Sequence, residues 1–208
     1  FELRFNINFL KKHLSSLIII IIGFSLIGCL KKENKKYLPK GYYRINFEEN
    51  KYQTTHFNFK DSDFSFEASE SFDISSTNRV INEEDYLEIT LNNSKHNFGF
   101  ILNYRIIQNN LKKLTEQAYN PQLIKLSDGV TLTQDVDEKL LIYELKGPVA
   151  NPFIFQITDK KNHFLYGMMY VCMDKNKNCN INTDSLRPVI DFFEEDIYNI
   201  YETIKWSN

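Results

Sequence analysis

The sequence predicts an α+β domain: a mainly antiparallel sheet with helices packed against it. Three observations predict it. Short runs of alternating apolar and polar residues recur through the chain, the pattern of strands with one buried face. These runs follow one another across short polar turns, which favours antiparallel pairing. Two other stretches repeat apolar residues at helical spacing, one mid-chain and one near the end.

The elements follow in order. Tyr43 to Phe47 and Thr55 to Phe59 are the weakest strand candidates. Leu87, Ile89 and Leu91 alternate with Glu88 and Thr90, and Phe98, Phe100, Leu102 and Tyr104 share one face of the next strand. Ile107, Leu111, Leu114 and Ala118 then form the stripe of an amphipathic helix, with Asn109, Asn110, Lys112, Lys113, Glu116 and Gln117 between them. Pro121 marks its end. Leu140 to Lys146, Phe153 to Thr158 and Phe164 to Cys172 read as three more strands, the last two joined by a turn over Asp159 to Asn162. The second helix carries Leu186, Ile190, Phe193, Ile197, Ile200 and Ile204 as one stripe. Asp191, Glu194, Glu195, Asp196, Asn199 and Glu202 are expected on its solvated face. Asp184 or Ser185 is expected to cap its start, with Pro188 in the first turn. The order resembles the Mog1/PsbP type of sandwich, an analogy of fold that carries no function.

Composition narrows the function classes. Of 208 residues, 42% are hydrophobic and 14% aromatic, enough to bury a real core. Net charge is -2 and the pI about 6.1, which argues against a nucleic-acid partner, since such a protein normally shows a basic face.

The first residues read as a leader. Lys11, Lys12 and His13 precede an apolar run from Leu17 to Leu26 that only Gly23 and Ser25 interrupt. The run is too short for a stable span, which needs about 20 apolar residues, and it fits a secretory signal. It ends in Leu26-Ile27-Gly28-Cys29, which resembles a bacterial lipobox. The expectation is a signal peptide over 1–28 and a Cys29 acylated by chains such as palmitate. A polar tether follows over 29–36, then a single domain over 37–208. Two or more acyl chains hold a protein stably on a membrane, whereas one does so only marginally. The expected location is the cell envelope, facing the periplasm, because no acidic cluster follows Cys29 to argue for the outer face. Cys172 and Cys179 border a polar segment; an oxidising compartment would let them bridge, and two free thiols is the alternative.

Signals for chemistry are thin. No phosphate loop, His-Glu-x-x-His or Gly-x-Ser-x-Gly occurs. His56 and His96 sit in polar surroundings. His163 lies near Asp159 across one turn, and Asp184 and Ser185 follow later. A hydrolase would need such groups to converge; a local hydrogen bond and a helix cap explain them without catalysis. Asp159, His163 and Asp184 have no recognised metal-ligand spacing, so neither a metal nor a cofactor is expected. Tyr42, Tyr43, Tyr104, Tyr166 and Tyr170 suit either an aromatic core or a partner groove. Gly167 inside a strand signals a bulge or a close backbone approach.

Several blocks together resemble the gliding motility-associated lipoprotein GldD family of the Bacteroidetes. The first is Tyr37-Leu38-Pro39-Lys40-Gly41-Tyr42-Tyr43-Arg44-Ile45, and the second Tyr104-Arg105-Ile106-Ile107 with Asn109-Asn110-Leu111. The third includes Gly147, Ala150, Pro152, Phe155, Thr158-Asp159, His163-Phe164 and Gly167, continuing through Tyr170, Asp184-Ser185-Leu186, Pro188-Val189 and Asp196 to Trp206. Three places depart from the family pattern. Its His-x-x-Lys-Ala segment reads Leu123-Ile124-Lys125-Leu126-Ser127-Asp128, keeping only the lysine. Its Gly-Asn-Ala-Ala-Ser turn reads Gly147-Pro148-Val149-Ala150-Asn151. The loop from Cys172 to Thr183 is longer and carries the two cysteines.

The resemblance implies a non-enzymatic accessory lipoprotein of gliding motility and the linked type IX secretion machinery. It would act beside GldE, a membrane protein with CBS-type domains, and hold the membrane through its N-terminal lipid. The candidate functional surface is Gly41, Tyr42, Arg44, Tyr104, Thr158, Asp159, His163, Gly167, Asp184 and Ser185. The alternative is a periplasmic hydrolase or ligand-binding lipoprotein using Asp159, His163 and Asp184.

Overall fold

A computed structural model describes residues 51–81, 84–119, 121–135, 137–171 and 183–207. The side chains of Leu123 and of residues 183–185 lie outside that description. The chain divides into two compact units, Phe1–Gly41 and Tyr42–Asn208; all described residues belong to the second. Cys29, Gly41, Tyr42, Arg44, the Tyr43–Phe47 strand candidate and the Cys172/Cys179 pair fall outside the described residues.

Ten strands and three helices form the domain among the described residues. The chain opens with β1 (Tyr52–Phe59), β2 (Ser62–Ser69), β3 (Asp73–Ile81), β4 (Glu84–Asn93) and β5 (Phe98–Ile106). Then come α1 (Leu111–Ala118), α2 (Pro121–Leu126), β6 (Gly129–Gln134), β7 (Leu140–Lys146), β8 (Phe153–Thr158) and β9 (His163–Val171). The long helix α3 (Thr183–Thr203) and the short β10 (Lys205–Ser207) complete the order. All strand pairs are antiparallel. One sheet has the order β1-β2-β10, the other β3-β4-β5-β9-β8-β7-β6. The α+β architecture with a dominant antiparallel sheet is therefore as the alternation predicts.

Period-two alternation sorts side chains onto two faces of the larger sheet. One face carries Leu87, Ile89, Phe100, Leu102, Phe155 and Leu165, all buried. It meets Phe57, Phe64 and Phe66 of the small sheet and Ile190, Phe193, Ile197 and Ile200 of α3 in one core. Burying each such side chain contributes roughly 1.5–3 kcal/mol, which outweighs the weak local preferences of β1 and β2. On the opposite face, Leu114 and Ala118 of α1 cover Phe164. Beside them Ile124 of α2 packs on Leu145, Val149 and Ile154.

Side chains of α3 also complete the small sheet. Asn199 Nδ2 donates to the Glu67 carbonyl at 2.8 Å, and the Glu67 amide donates to Thr203 Oγ1 at 2.9 Å. Strand β10 pairs only with Ser65, Phe64 and Asp63, so these two side chains serve the β2 backbone beyond it.

The helices differ from the sequence reading in four respects. A short helix, α2, begins at Pro121, where the sequence marks only an end. Helix α1 starts at Leu111, not at Ile107, because Asn109 adopts φ 59 and the Ile107 amide donates to the Asn162 carbonyl at 2.8 Å. Pro188 sits in the second turn of α3, since the helix begins at Thr183; there it removes a ladder donor. Asp196, expected in solvent, is 2% exposed, because the small sheet covers more of the helix than the six-residue stripe requires. Burial pushes its carboxyl up to about 7, although the Tyr52 hydroxyl works against the shift.

Candidate functional site

Several of the singled-out residues meet at the end of the domain where β8 turns into β9. Asp159 controls the turn. Its Oδ1 accepts the backbone amides of Lys161, Asn162 and His163 at 2.9, 2.9 and 2.8 Å. Burial works to raise its pKa, but these amides outweigh burial and hold the carboxyl below its ordinary value. Lys160 takes φ 61 at the tip. Thr158 Oγ1 donates to the His163 carbonyl at 2.7 Å and accepts the Lys160 amide at 2.9 Å. Asp159 thus binds the backbone of His163, not its ring.

The His163 ring enters the core, where the residue is 2% exposed. Its Nδ1 shares a 2.7 Å hydrogen bond with the Tyr104 hydroxyl. Its Nε2 is buried and meets no hydrogen-bond partner among the described residues. Trp206 lies over the imidazole with centroids 4.9 Å apart and planes at 4°. Pairing of Trp206 with Phe64 across β10 and β2 holds the indole there, and Phe64 in turn packs on Tyr104 at 4.3 Å. Burial lowers the pKa of His163, against the pull of the Asp159 charge. Burial likewise raises that of Tyr104. The imidazole is therefore neutral under ordinary conditions, a member of an aromatic stack.

Outside this stack an open cleft of about 800 Å³ runs between the turn and the end of α3. Ile157, Ile204 and Trp206 form its apolar lining, and Lys139, Asp159, Lys161 and Glu202 its charged lining. Tyr201 borders it; its hydroxyl donates to Asp135 at 2.6 Å, and that hydrogen bond, with burial, pushes its pKa up to about 12. The sequence reading passed over Tyr201 and Lys139. Tyr201 is one position past Ile200 of the apolar stripe of α3, the only signal it carries.

The other candidates lie elsewhere. Tyr104 is fully buried, so it acts on any surface only through its neighbours. Tyr166 and Tyr170 occupy the opposite sheet face from Tyr104, so the three do not share a groove. Gly167 pairs with Leu102 on one side and Phe155 on the other without a bulge. A Cβ there would overlap the Phe155 ring, so the close approach, not the bulge, is its reason. Asp184 and Ser185 lie within the first turn of α3, and their side chains are outside the described residues. His96 is half-buried against Phe193 and His56 is exposed. Among the described residues no three His, Cys, Asp or Glu side chains are grouped to hold a metal ion. No helix among them is long and apolar enough to cross a membrane.

No curated protein and no solved structure matches the chain. The model of the family described as gliding motility lipoprotein GldD matches residues 32–206, which contain every described element except the last residue of β10. That span includes the Thr158–Asp159 turn, His163, Gly167 and Trp206, and the chain belongs to the gliding motility lipoprotein GldD family.

Proposed function

We propose that this protein, by family a membrane-associated lipoprotein of the cell envelope involved in gliding motility, is non-enzymatic and works by protein–protein contact, as an accessory part of the motility and type IX secretion machinery. In this reading acyl chains on Cys29 hold it at the membrane, the domain faces the periplasm, and a GldE-like membrane protein is its partner.

The observation that carries the reading is the state of Asp159 and His163. The Asp159 Oδ1 is occupied by three backbone amides, and the imidazole is stacked, hydrogen-bonded and 2% exposed. A general base must reach the proton it removes, and this ring has no open path to a substrate. The same bonds fix the shape of the turn and the cleft edge, which is what a docking surface needs.

Purification of the full chain from membranes in mild detergent tests the proposal. A membrane protein should co-purify after crosslinking, and Cys29→Ser should release the chain from the membrane fraction. Recovery of the domain alone, or hydrolytic activity lost in His163→Gln, would overturn it.

The cleft favours a second reading, a ligand-binding lipoprotein. Its volume lies within the range of small-molecule sites, about 300–1,000 Å³. Stabilisation of the purified chain by a small amphipathic compound, lost in Tyr201→Ala, would support that reading over the first.

A further inference from the structure

Strand β6 ends the larger sheet, and no described strand pairs with its free side. The Asp135 amide donates to the Leu140 carbonyl, which sets the phase of the β6–β7 ladder. Counting in steps of two, Gly129, Thr131 and Thr133 turn their backbone groups to β7, while Val130, Leu132 and Gln134 turn theirs outward. Soluble proteins usually protect such an edge with charge, proline or a bulge. The stretch Gly129-Val130-Thr131-Leu132-Thr133-Gln134 has no charged residue and no proline, and it pairs with β7 residue for residue. The opposite edge, β3, does carry charges, Asp73 and Arg79.

The side chains agree with the backbone. Val130 is 39% and Leu132 51% exposed. Leu132 stands opposite Tyr143, which touches Tyr119, itself 44% exposed. This edge thus carries exposed apolar side chains, Val130 and Leu132, on one sheet face.

We propose that β6 pairs antiparallel with β6 of a second copy of this chain, joining two larger sheets edge to edge. The strand fits itself. Centring the pair on Thr131 sets Val130 of each copy opposite Leu132 of the other, through the outward-facing backbone groups. Gly129 then faces Thr133, and no charged residue lies within the paired stretch, so no like charges stand directly opposite, an arrangement that would be destabilising. Thr131 faces Thr131 in a non-hydrogen-bonded pair, where Cα atoms lie about 4.5 Å apart, within the range a disulfide spans.

The test uses the full chain in detergent. Thr131→Cys should form a disulfide-linked dimer under mild oxidation, above the background set by Cys172 and Cys179 in the unsubstituted chain. Thr133→Cys, equally exposed but facing Gly129 of the partner, should stay near background. Leu132→Lys should weaken self-association at least roughly tenfold in sedimentation, with an unchanged far-ultraviolet spectrum. If it does not fold, the cysteine pair still decides. A chain that stays monomeric at micromolar concentration, equal crosslinking at 131 and 133, or an edge occupied by a different polypeptide would overturn the proposal.

Discussion

The imidazole of His163 lies flat on the indole of Trp206, with centroids 4.9 Å apart. One residue leaves the β8–β9 turn and the other sits in the last strand, so their stack ties the larger sheet to the smaller one. Aromatic pairs of this kind contribute about 0.5–1.5 kcal/mol beyond their buried area. Trp206→Ala is therefore expected to destabilise the domain by about 2–4 kcal/mol, below the full cost of a core tryptophan because the residue is half-buried. Urea unfolding measures it, and a change under about 0.5 kcal/mol would remove the stack from the account.

Tyr104→Phe keeps the ring and deletes the hydroxyl that meets His163 Nδ1. Neither ring nitrogen of a buried imidazole would then have a partner among the described residues. The expected loss is about 1–3 kcal/mol, with no change in the packing of Phe64. Since Tyr104 is fully buried, a loss of partner binding at unchanged stability would contradict its position.

Two buried groups give stability opposite slopes with pH. Asp196 has a folded pKa near 7, above its ordinary 3.8. Between those values the unfolded chain has lost its proton and the folded one retains it, so stability falls as pH rises, by up to a few kcal/mol in total. His163 is shifted below its ordinary 6.5. Its contribution is present above 6.5 and is lost as pH falls towards the folded value. Asp196→Asn should stabilise the domain at pH 8 and change it little at pH 4. His163→Gln should flatten the acid limb instead. Denaturation curves at several pH values separate the two; an Asp196→Asn variant equally affected at both ends would disprove the assignment.

Gly167→Ala places a methyl group where the Phe155 ring lies. Overpacking of this kind costs typically about 1–3 kcal/mol. Phe155→Leu in the same chain should recover part of the loss, a coupling that a double-mutant cycle reads directly. Additive losses would mean that Gly167 is needed for something other than space.

Asn199→Ala leaves the Glu67 carbonyl without its 2.8 Å donor, and Thr203→Val leaves the Glu67 amide without its acceptor. Each should cost about 1–2 kcal/mol and accelerate hydrogen exchange at Glu67. Unchanged exchange in the double variant would show that α3 does not secure β2.

Much of this was legible in the chain. The alternation at Leu87–Leu91 and Phe98–Tyr104 and the runs Leu140–Lys146 and Phe153–Thr158 mark β4, β5, β7 and β8 because each buries at least one face. The stripe of α3 is equally plain. Strands β2, β3, β6 and β10 were not read. β3 is an edge strand whose polar, exposed residues carry little periodicity, β6 is six residues long with only two apolar side chains, Val130 and Leu132, and β10 is only three residues long. Strand β2 does alternate Phe64, Phe66 and Ala68 with Asp63, Ser65 and Glu67, so its period is present in the chain.

By itself the sequence determined the α+β class, the principal strands and helices, and the family blocks, because period and spacing are local properties. Only the tertiary structure decided what the polar residues do. Asp159 takes backbone amides instead of the imidazole, His163 goes into an aromatic stack with Trp206, and Asp196 turns from solvent into the core. Each outcome depends on groups far apart in the chain, and on how far a covering sheet excludes water from them; no window of neighbouring residues contains that information.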